Sequence, residues 1–281
     1  MRCTGDAAAA PLVDRTARPY RRPATRFLGV IGRLEGKSAI VTGAGQGIGR
    51  GVSLALAAEG ARVMLMGRTQ AKLDAVHREI EARGGTATVY AGDVKALSDI
   101  EGCVAATVER FGTVDILVNN AQEVPLGYLL ELDDAAVNAG WESGPLATWR
   151  FMRACHPHLK GGGAVVNMAS RAGVRPDPVR RGAYAAAKEA IRAFTRAAAM
   201  EWGPDGIRVN AVLPYAMSPA LEQLGRDNPE EFEKRRNESP LGRIGDSEAD
   251  IGRTVVFLVG SDSSYITGAS IPVDGGTTFL G

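Results

Sequence analysis

A short apolar segment that leads into a glycine-rich turn is the feature that most restricts the fold of this chain. Residues 38–41 (SAIV) are apolar and partly β-branched, residues 42–49 read TGAGQGIG, and residues 50–58 have helical character. Glycine reaches backbone angles closed to other residues, and the free N–H groups and dipole of a helix N-terminus favour an anion. The order strand, turn, helix therefore predicts a pyrophosphate-binding unit.

A second apolar run, residues 61–66, ends where a dinucleotide-binding βαβ unit places its ribose-reading residue. Gly67 and Arg68 stand there instead of an acid. A carboxylate would bind the 2′-hydroxyl of NAD and repel a 2′-phosphate, whereas an arginine can pair with that phosphate. The sequence favours NADP over NAD, with Arg68 stacking on adenine or facing solvent as the alternative.

The remaining pattern alternates between strands and helices. The predicted strands are residues 86–91, 115–118, 164–168, 208–212 and 270–273, and the predicted helices are residues 98–111, 133–159, 184–202 and 247–259. Capping boxes are indicated at Ser98 and Ser247. This alternation predicts a single α/β domain over residues 34–281: a Rossmann-type, doubly wound parallel sheet in three α/β/α layers.

Composition narrows the function. Residues 1–33 are rich in arginine and poor in acids, which predicts a disordered N-terminal extension, with a transit peptide as a weaker interpretation. A net charge of +1 gives no reason to expect nucleic acid, and no apolar run is long enough for a membrane span. Cys3, Cys103 and Cys155 lie far apart, as do the three histidines, so we expect no metal site and a reducing, cytoplasmic location.

The segment Tyr184-Ala-Ala-Ala-Lys188 follows Ser170 by about one loop. Residues four apart share a helix face, so Lys188 is expected beneath Tyr184. An adjacent ammonium favours the phenolate and would lower the pKa of Tyr184 toward that of a useful acid or base. Such a pair alone is more often a solvated helix face, and it gains weight here from the glycine turn upstream.

These motifs, in this order and spacing, resemble the short-chain dehydrogenase/reductase family, including members similar to 3-oxoacyl-carrier-protein reductase. The resemblance covers the chain from about Leu34 onward and includes the turn at residues 42–49, the segment 119–121 (NNA) and the C-terminal segment 273–276 (VDGG). It implies an NAD(P)-dependent oxidoreductase that interconverts a carbonyl and a secondary alcohol. The alternative is a dinucleotide-binding sensor or scaffold that has lost turnover.

The resemblance also implies residue roles. Tyr184 would exchange a proton with the substrate oxygen, Ser170 would orient that oxygen, and Lys188 would lower the pKa of Tyr184 and hold the nicotinamide ribose. Ser218 would approach the carboxamide. The implied cofactor-binding residues are Gly43, Gln46, Gly47, Ile48, Gly49, Arg68, Asp93, Val94, Asn120, Tyr184, Lys188 and Ser218.

Several positions depart from the family pattern. Gln122 and Tyr215 stand where glycine is usual, so two side chains are expected to enter normally bare space. The position of the family's catalytic asparagine falls at Gly144, and Asn138 could replace it only if the alignment shifts. The segment 214–218 is one residue short, so the assignment of Ser218 depends on the alignment.

Two charged segments bear on the substrate. Residues 219–239 form a charged, helical segment at the position of the family's substrate lid. The loop between Ser170 and Tyr184 carries four arginines (171, 175, 180 and 181) against Asp177, which would either steer an anionic substrate or simply be solvated. The resemblance further implies a homodimer or homotetramer through the helices near residues 146–159 and 184–202.

Overall fold

The computed structural model describes residues 32–175 and 180–280. In this part of the chain, seven strands form one parallel sheet in the order β3-β2-β1-β4-β5-β6-β7. They are β1 (Ser38–Thr42), β2 (Arg62–Gly67), β3 (Thr86–Ala91), β4 (Ile116–Asn119), β5 (Ala164–Met168), β6 (Arg208–Pro214) and β7 (Ser270–Val273). The predicted doubly wound fold is confirmed. The predicted extension at residues 1–33 lies almost entirely outside the described residues.

Helices cover both faces of this sheet. They are α1 (Gly47–Ala58), α2 (Gln70–Ala82), α3 (Leu97–Phe111), α4 (Asp134–Trp141), α5 (Ala147–Leu159), α6 (Arg171–Val174), α7 (Gly182–Trp202), α8 (Pro219–Asp227), α9 (Pro229–Asn237) and α10 (Arg253–Val259). One buried apolar cluster joins the sheet to α1, α2 and α10, and a second joins it to α3, α5 and α7. No helix within residues 32–175 and 180–280 is long and apolar enough to cross a membrane.

The element boundaries differ from prediction at a few informative places. The helix predicted over residues 133–159 is divided by a wide π-helical turn at Glu142–Leu146, and a second such turn, Ser247–Gly252, precedes α10. The capping box at Ser98 is wrong, because α3 begins at Leu97 after Ala96, whose side chain makes no cap. Asp246, not Ser247, caps the second π turn, by accepting from the N–H groups of residues 248 and 249.

The strand order places the functional cleft. β1 lies between β2 and β4, so the chain leaves β1 toward one edge of the sheet and returns at β4 toward the other. In open α/β sheets, ligands bind beyond the carboxyl ends of the strands at such a reversal. The glycine turn after β1 and the segment after β4 are therefore brought side by side, although they are far apart in sequence.

Candidate active site

A cleft of about 460 Å³ opens at the carboxyl ends of β1, β4 and β5. It contains both the glycine turn and the Tyr184–Lys188 pair, so the two motifs share one site. Of the predicted site residues, Gly49 and Ser170 are the two that do not line the cleft. Those that do are Gly43, Gln46, Gly47, Ile48, Arg68, Asp93, Val94, Asn120, Tyr184, Lys188 and Ser218.

The glycine turn is packed closely against the end of β4. Gly43 has a φ of +66°, and a Cβ there would lie 2.8 Å from the Asn120 amide nitrogen. A Cβ on Gly49 would lie 2.2 Å from the Gly43 carbonyl oxygen. Asn120 donates to the Thr42 carbonyl at 2.9 Å, which fixes the turn against β4. Gly49 thus packs against the turn, and the Asn120 side chain fixes the turn through its hydrogen bond.

Charged side chains surround the end of the cleft beside β2. Arg68 is mostly exposed and pairs with Glu123 at 2.8 Å, and Lys95 pairs with the same carboxylate at 3.1 Å. Lys72 donates to the side chain of Gln46 at 2.6 Å. Arg68, Lys72 and Glu123 all line the cleft. The sequence reasoning considered Arg68 alone, because Glu123 comes from a distant segment.

The predicted catalytic residues meet at the other end of the cleft. Lys188 lies one helical turn after Tyr184 on α7, with its Nζ 5.6 Å from the centre of the Tyr184 ring, and it donates to the Met168 carbonyl at the end of β5. Ser170 lies near the Tyr184 side chain and acts to lower its pKa. Its Oγ also accepts from the Ala172 N–H at 3.1 Å, which caps α6. The three residues therefore form one contiguous group.

Burial dominates the electrostatics of this group. It raises the pKa of Tyr184, although Ser170 and the positive charge of Arg181 oppose the shift. Burial also lowers the pKa of Lys188 to about 7. The expectation of a net lowering of the Tyr184 pKa by Lys188 is wrong for this structure. Burial destabilises the Tyr184 phenolate more than Ser170 and Arg181 stabilise it. Burial also disfavours the charged form of Lys188.

A buried polar network holds α7 against the sheet. Asn119 on β4 donates to Asn167 on β5 at 2.8 Å, and Asn167 donates to Thr195 on α7 at 2.9 Å. Thr195 in turn donates to the Ile191 carbonyl. Sequence reasoning missed Asn167 and Thr195, but a signal existed: an asparagine within the apolar run of β5 must find a buried partner.

The two expected intruding side chains behave differently. Gln122 lines the cleft, as expected. Tyr215 does not line this cleft: its ring is buried beneath the Arg171 guanidinium at 4.3 Å, and its hydroxyl donates to the Arg235 carbonyl at 3.0 Å. Arg235 belongs to α9, so Tyr215 is tied to this helix.

The remaining alternatives are also placed by the structure. Asn138 is exposed on α4 and does not line the cleft, whereas Gly144 is buried in the π turn. Ser218 lines the cleft and caps α8 by accepting from the Leu221 N–H at 3.3 Å. The predicted lid consists of α8 and α9.

Three arginines of the loop after Ser170 have partners within the protein. Arg171 pairs with Glu238 at 2.9 Å, Arg180 pairs with Glu131 at 2.9 Å, and Arg175 donates to the Thr277 carbonyl at 3.2 Å. Asp177 lies outside the described residues. These contacts tie the loop to neighbouring segments and favour the second interpretation of this loop over substrate steering.

The cysteines described by the structure are buried free thiols. Burial raises the pKa of Cys103 to about 12, and it also raises the pKa of Cys155. Both are therefore protonated and unreactive at neutral pH. Within residues 32–175 and 180–280, no group of His, Cys, Asp or Glu side chains is arranged to hold a metal ion.

Comparison with known proteins places the chain in a family. A family profile described as enoyl-(acyl carrier protein) reductase matches residues 43–278. A 12α-hydroxysteroid dehydrogenase from a Clostridium species is 41% identical over 88% of this chain and 98% of its own length. Galactitol 2-dehydrogenase (L-tagatose-forming) from Cereibacter sphaeroides is 39% identical over 88% of this chain and 96% of its own.

The solved structures agree. A short-chain dehydrogenase from Burkholderia cenocepacia in complex with NADP superposes with a TM-score of 0.80 at 32% identity, covering 87% of this chain and 99% of that one. The chain belongs to the short-chain dehydrogenase/reductase family, and it is an NAD(P)-dependent oxidoreductase. The inactive sensor has no support among these three relatives, each of which is named a dehydrogenase.

Proposed function

We propose that Tyr184 is the proton donor and acceptor of this oxidoreductase, with Ser170 orienting the substrate oxygen and Lys188 holding the ribose. The observation that carries the proposal is the contiguous group of Ser170, Tyr184 and Lys188 beside the cleft that contains the glycine turn. A nicotinamide bound in the cleft would supply or accept the hydride. Tyr184 exchanges a proton with the oxygen of the same carbonyl or alcohol, which keeps charge from accumulating there.

The glycine turn is suited to bind the pyrophosphate of the cofactor. The turn presents backbone N–H groups at the start of α1, and the crowding around Gly43 and Gly49 leaves no room for side chains that would displace a pyrophosphate. Asp93 and Val94, after β3, line the cleft where adenine would lie.

We further propose NADP as the preferred cofactor. Arg68 and Lys72 both line the cleft at the end of β2, and together they offer two cations to a 2′-phosphate. Glu123 competes for Arg68 and limits this preference. NADPH should bind more tightly than NADH. Gly67→Asp should reverse this order, and Glu123→Gln should increase the difference in affinity between the two cofactors. Calorimetry with both cofactors tests the proposal, and equal or better affinity for NADH in the unmodified protein would contradict it.

For the substrate, we propose a bulky apolar alcohol or ketone of the hydroxysteroid kind. The segment after β4 exposes the apolar side chains of Val124, Leu126, Tyr128, Leu129 and Leu130, and the first of these lines the cleft. A polyol would leave this surface in water, whereas a steroid skeleton would cover it. Consumption of NADPH with a ketosteroid panel and with L-tagatose separates the two. Faster turnover of the sugar would contradict the proposal.

Assembly and location follow as part of the same proposal. The helices α5 and α7 expose Trp149 and Met200, which suits a homodimer or homotetramer built through these helices. Light scattering of the purified protein tests the assembly. The buried free thiols suit a reducing compartment, so we propose a cytoplasmic location, to be tested by cell fractionation.

A further inference from the structure

The side chain of Gln122 lies directly against Gly144, which has no side chain of its own. Gly144 lies in the π turn, and a Cβ built there would approach the amide group of Gln122, with 2.7 Å to Nε2 and 2.8 Å to Cδ. The Gln122 side chain therefore occupies the space that a side chain at position 144 would need. Two departures from the family pattern, on elements far apart in sequence, are thus one structural feature.

The amide of Gln122 is incompletely hydrogen-bonded. Its Nε2 makes a long contact of 3.5 Å with the Gly140 carbonyl, whereas its Oε1 is buried and has no hydrogen-bond partner. The nearby hydroxyl of Ser143 does not serve it, because that hydroxyl donates to the Ala139 carbonyl and accepts from the Glu123 N–H. A buried acceptor without a donor costs free energy, which is recovered if a bound molecule supplies the donor.

We propose that Gln122 is a ligand-positioning residue, whose Oε1 accepts a hydrogen bond from an O–H donor bound in the cleft beside Tyr184 and Lys188. The location supports the proposal, because Gln122, Tyr184 and Lys188 line the same cleft. The O–H donor is a hydroxyl of the cofactor ribose, a hydroxyl of the alcohol substrate, or a water that serves the Tyr184–Lys188 pair. The inference rests on the proposed catalytic role of Tyr184.

The decisive variant is Gln122→Met. Methionine fills nearly the same volume against Gly144 but offers no comparable acceptor. Because it removes an unpaired buried oxygen, the melting temperature should stay the same or rise. The kcat/KM or the NADPH affinity should nevertheless fall about 5- to 20-fold, as expected for one lost hydrogen bond. A purely space-filling role for Gln122 predicts no change in either quantity.

The pattern of loss identifies the donor. Weaker NADPH binding, measured by calorimetry, indicates a ribose hydroxyl. A higher KM for the alcohol with unchanged NADPH affinity indicates the substrate hydroxyl. A lower kcat and a shifted pH profile, with both affinities retained, indicate a water.

A second variant approaches the same contact from the opposite side. Gly144→Ala pushes the Gln122 amide away without removing it, and it should reproduce the loss seen with Gln122→Met. Gly203→Ala is the matched control, because a Cβ there meets no atom within 4 Å. If Gln122→Met and Gly144→Ala both match the wild type within twofold in kcat, KM and NADPH affinity, the proposal is wrong. Tyr184→Phe, assayed in parallel, reports separately on the proposed function, because retained activity there would overturn the role of Tyr184.

Discussion

The two ends of the cleft are built in different ways. At the glycine turn, the binding surface is backbone, and close contacts such as that between Gly49 and the Gly43 carbonyl leave no space for alternative residues. Toward the catalytic end, the wall includes side chains such as that of Gln122, which fills the space that a side chain at position 144 would need. A surface made of backbone binds the same pyrophosphate throughout a family, whereas a wall made of side chains can be altered without changing the fold.

Hydrogen bonding shows the same contrast. Asn120 and Thr42 satisfy each other across the glycine turn, with Asn120 donating to the Thr42 carbonyl at 2.9 Å and the Thr42 hydroxyl accepting from the Asn120 N–H at 2.9 Å. The catalytic end retains a buried acceptor on Gln122 without a partner and a buried lysine whose pKa is lowered. Groups kept at a cost in free energy are typical of sites that act on ligands.

The largest effect should come from the catalytic end. Tyr184→Phe removes the proton donor and keeps the ring, so we expect a fall in kcat of about 10²- to 10⁴-fold. Because the phenol is not the main cofactor contact, NADPH affinity should stay within about tenfold. Steady-state kinetics and calorimetry measure both quantities. Tyr265→Phe, at a fully exposed position, is the control and should behave as wild type.

The buried Lys188 should make the stability of the folded protein depend on pH. Its pKa is lowered from 10.5 to about 7 in the folded protein, so the unfolded chain binds more protons between these pH values. The free energy of unfolding should therefore rise as the pH increases from about 7 to about 10.5. Below about pH 7, Lys188 is charged in both states, and the full cost of burying its charge should destabilise the folded protein. Lys188→Met should stabilise the protein at pH 7 while abolishing turnover.

Urea unfolding at pH 7 and pH 9.5 checks this prediction for Lys188. The exposed Lys72→Met variant serves as the control and should retain the pH dependence of the wild type. An unchanged slope in Lys188→Met would show that other groups cause the pH dependence.

A smaller effect on stability, but a selective one on binding, is expected at the glycine turn. Gly49→Ala forces a Cβ to within 2.2 Å of the Gly43 carbonyl, and the required backbone shift should cost about 1–3 kcal/mol and weaken NADPH binding. Gly203→Ala provides the control. Thermal unfolding and calorimetry give the two numbers, and normal NADPH affinity in Gly49→Ala would contradict the view of this end as rigid backbone.

The smallest effect should come from the arginines of the loop between Ser170 and Tyr184. Arg175 and Arg180 have partners within the protein, so the double change Arg175→Ala with Arg180→Ala should alter kcat/KM by less than about threefold. The salt dependence should be the same for charged and neutral substrates. A steeper loss with a carboxylated substrate, removed by the double change, would instead support steering.

The sequence predicted a large part of this architecture. Strands 86–91, 164–168 and 270–273 agree with β3, β5 and β7 at both ends, because apolar, β-branched runs between turn residues carry a local signal. The sequence analysis does not predict α2, and it predicts regular helix through the π turn at Glu142–Leu146. The π turn is missed because hydrophobic periodicity reports the buried face of a segment and not its hydrogen-bonding pattern. Residues 70–82, by contrast, do carry a helical spacing, with Leu73, Val76 and Ile80 buried.

By itself, the sequence determined the fold class, the glycine turn and the pairing of Tyr184 with Lys188, since each depends on residues close together in the chain. Only the tertiary structure decided that Tyr215 lies beneath Arg171, that Glu123 pairs with Arg68, and that Gln122 fills the space above Gly144. The direction of the Tyr184 pKa shift also depended on burial. These properties arise from contacts between distant segments, and the residue types alone do not specify the distances, partners and solvent exposure that set them.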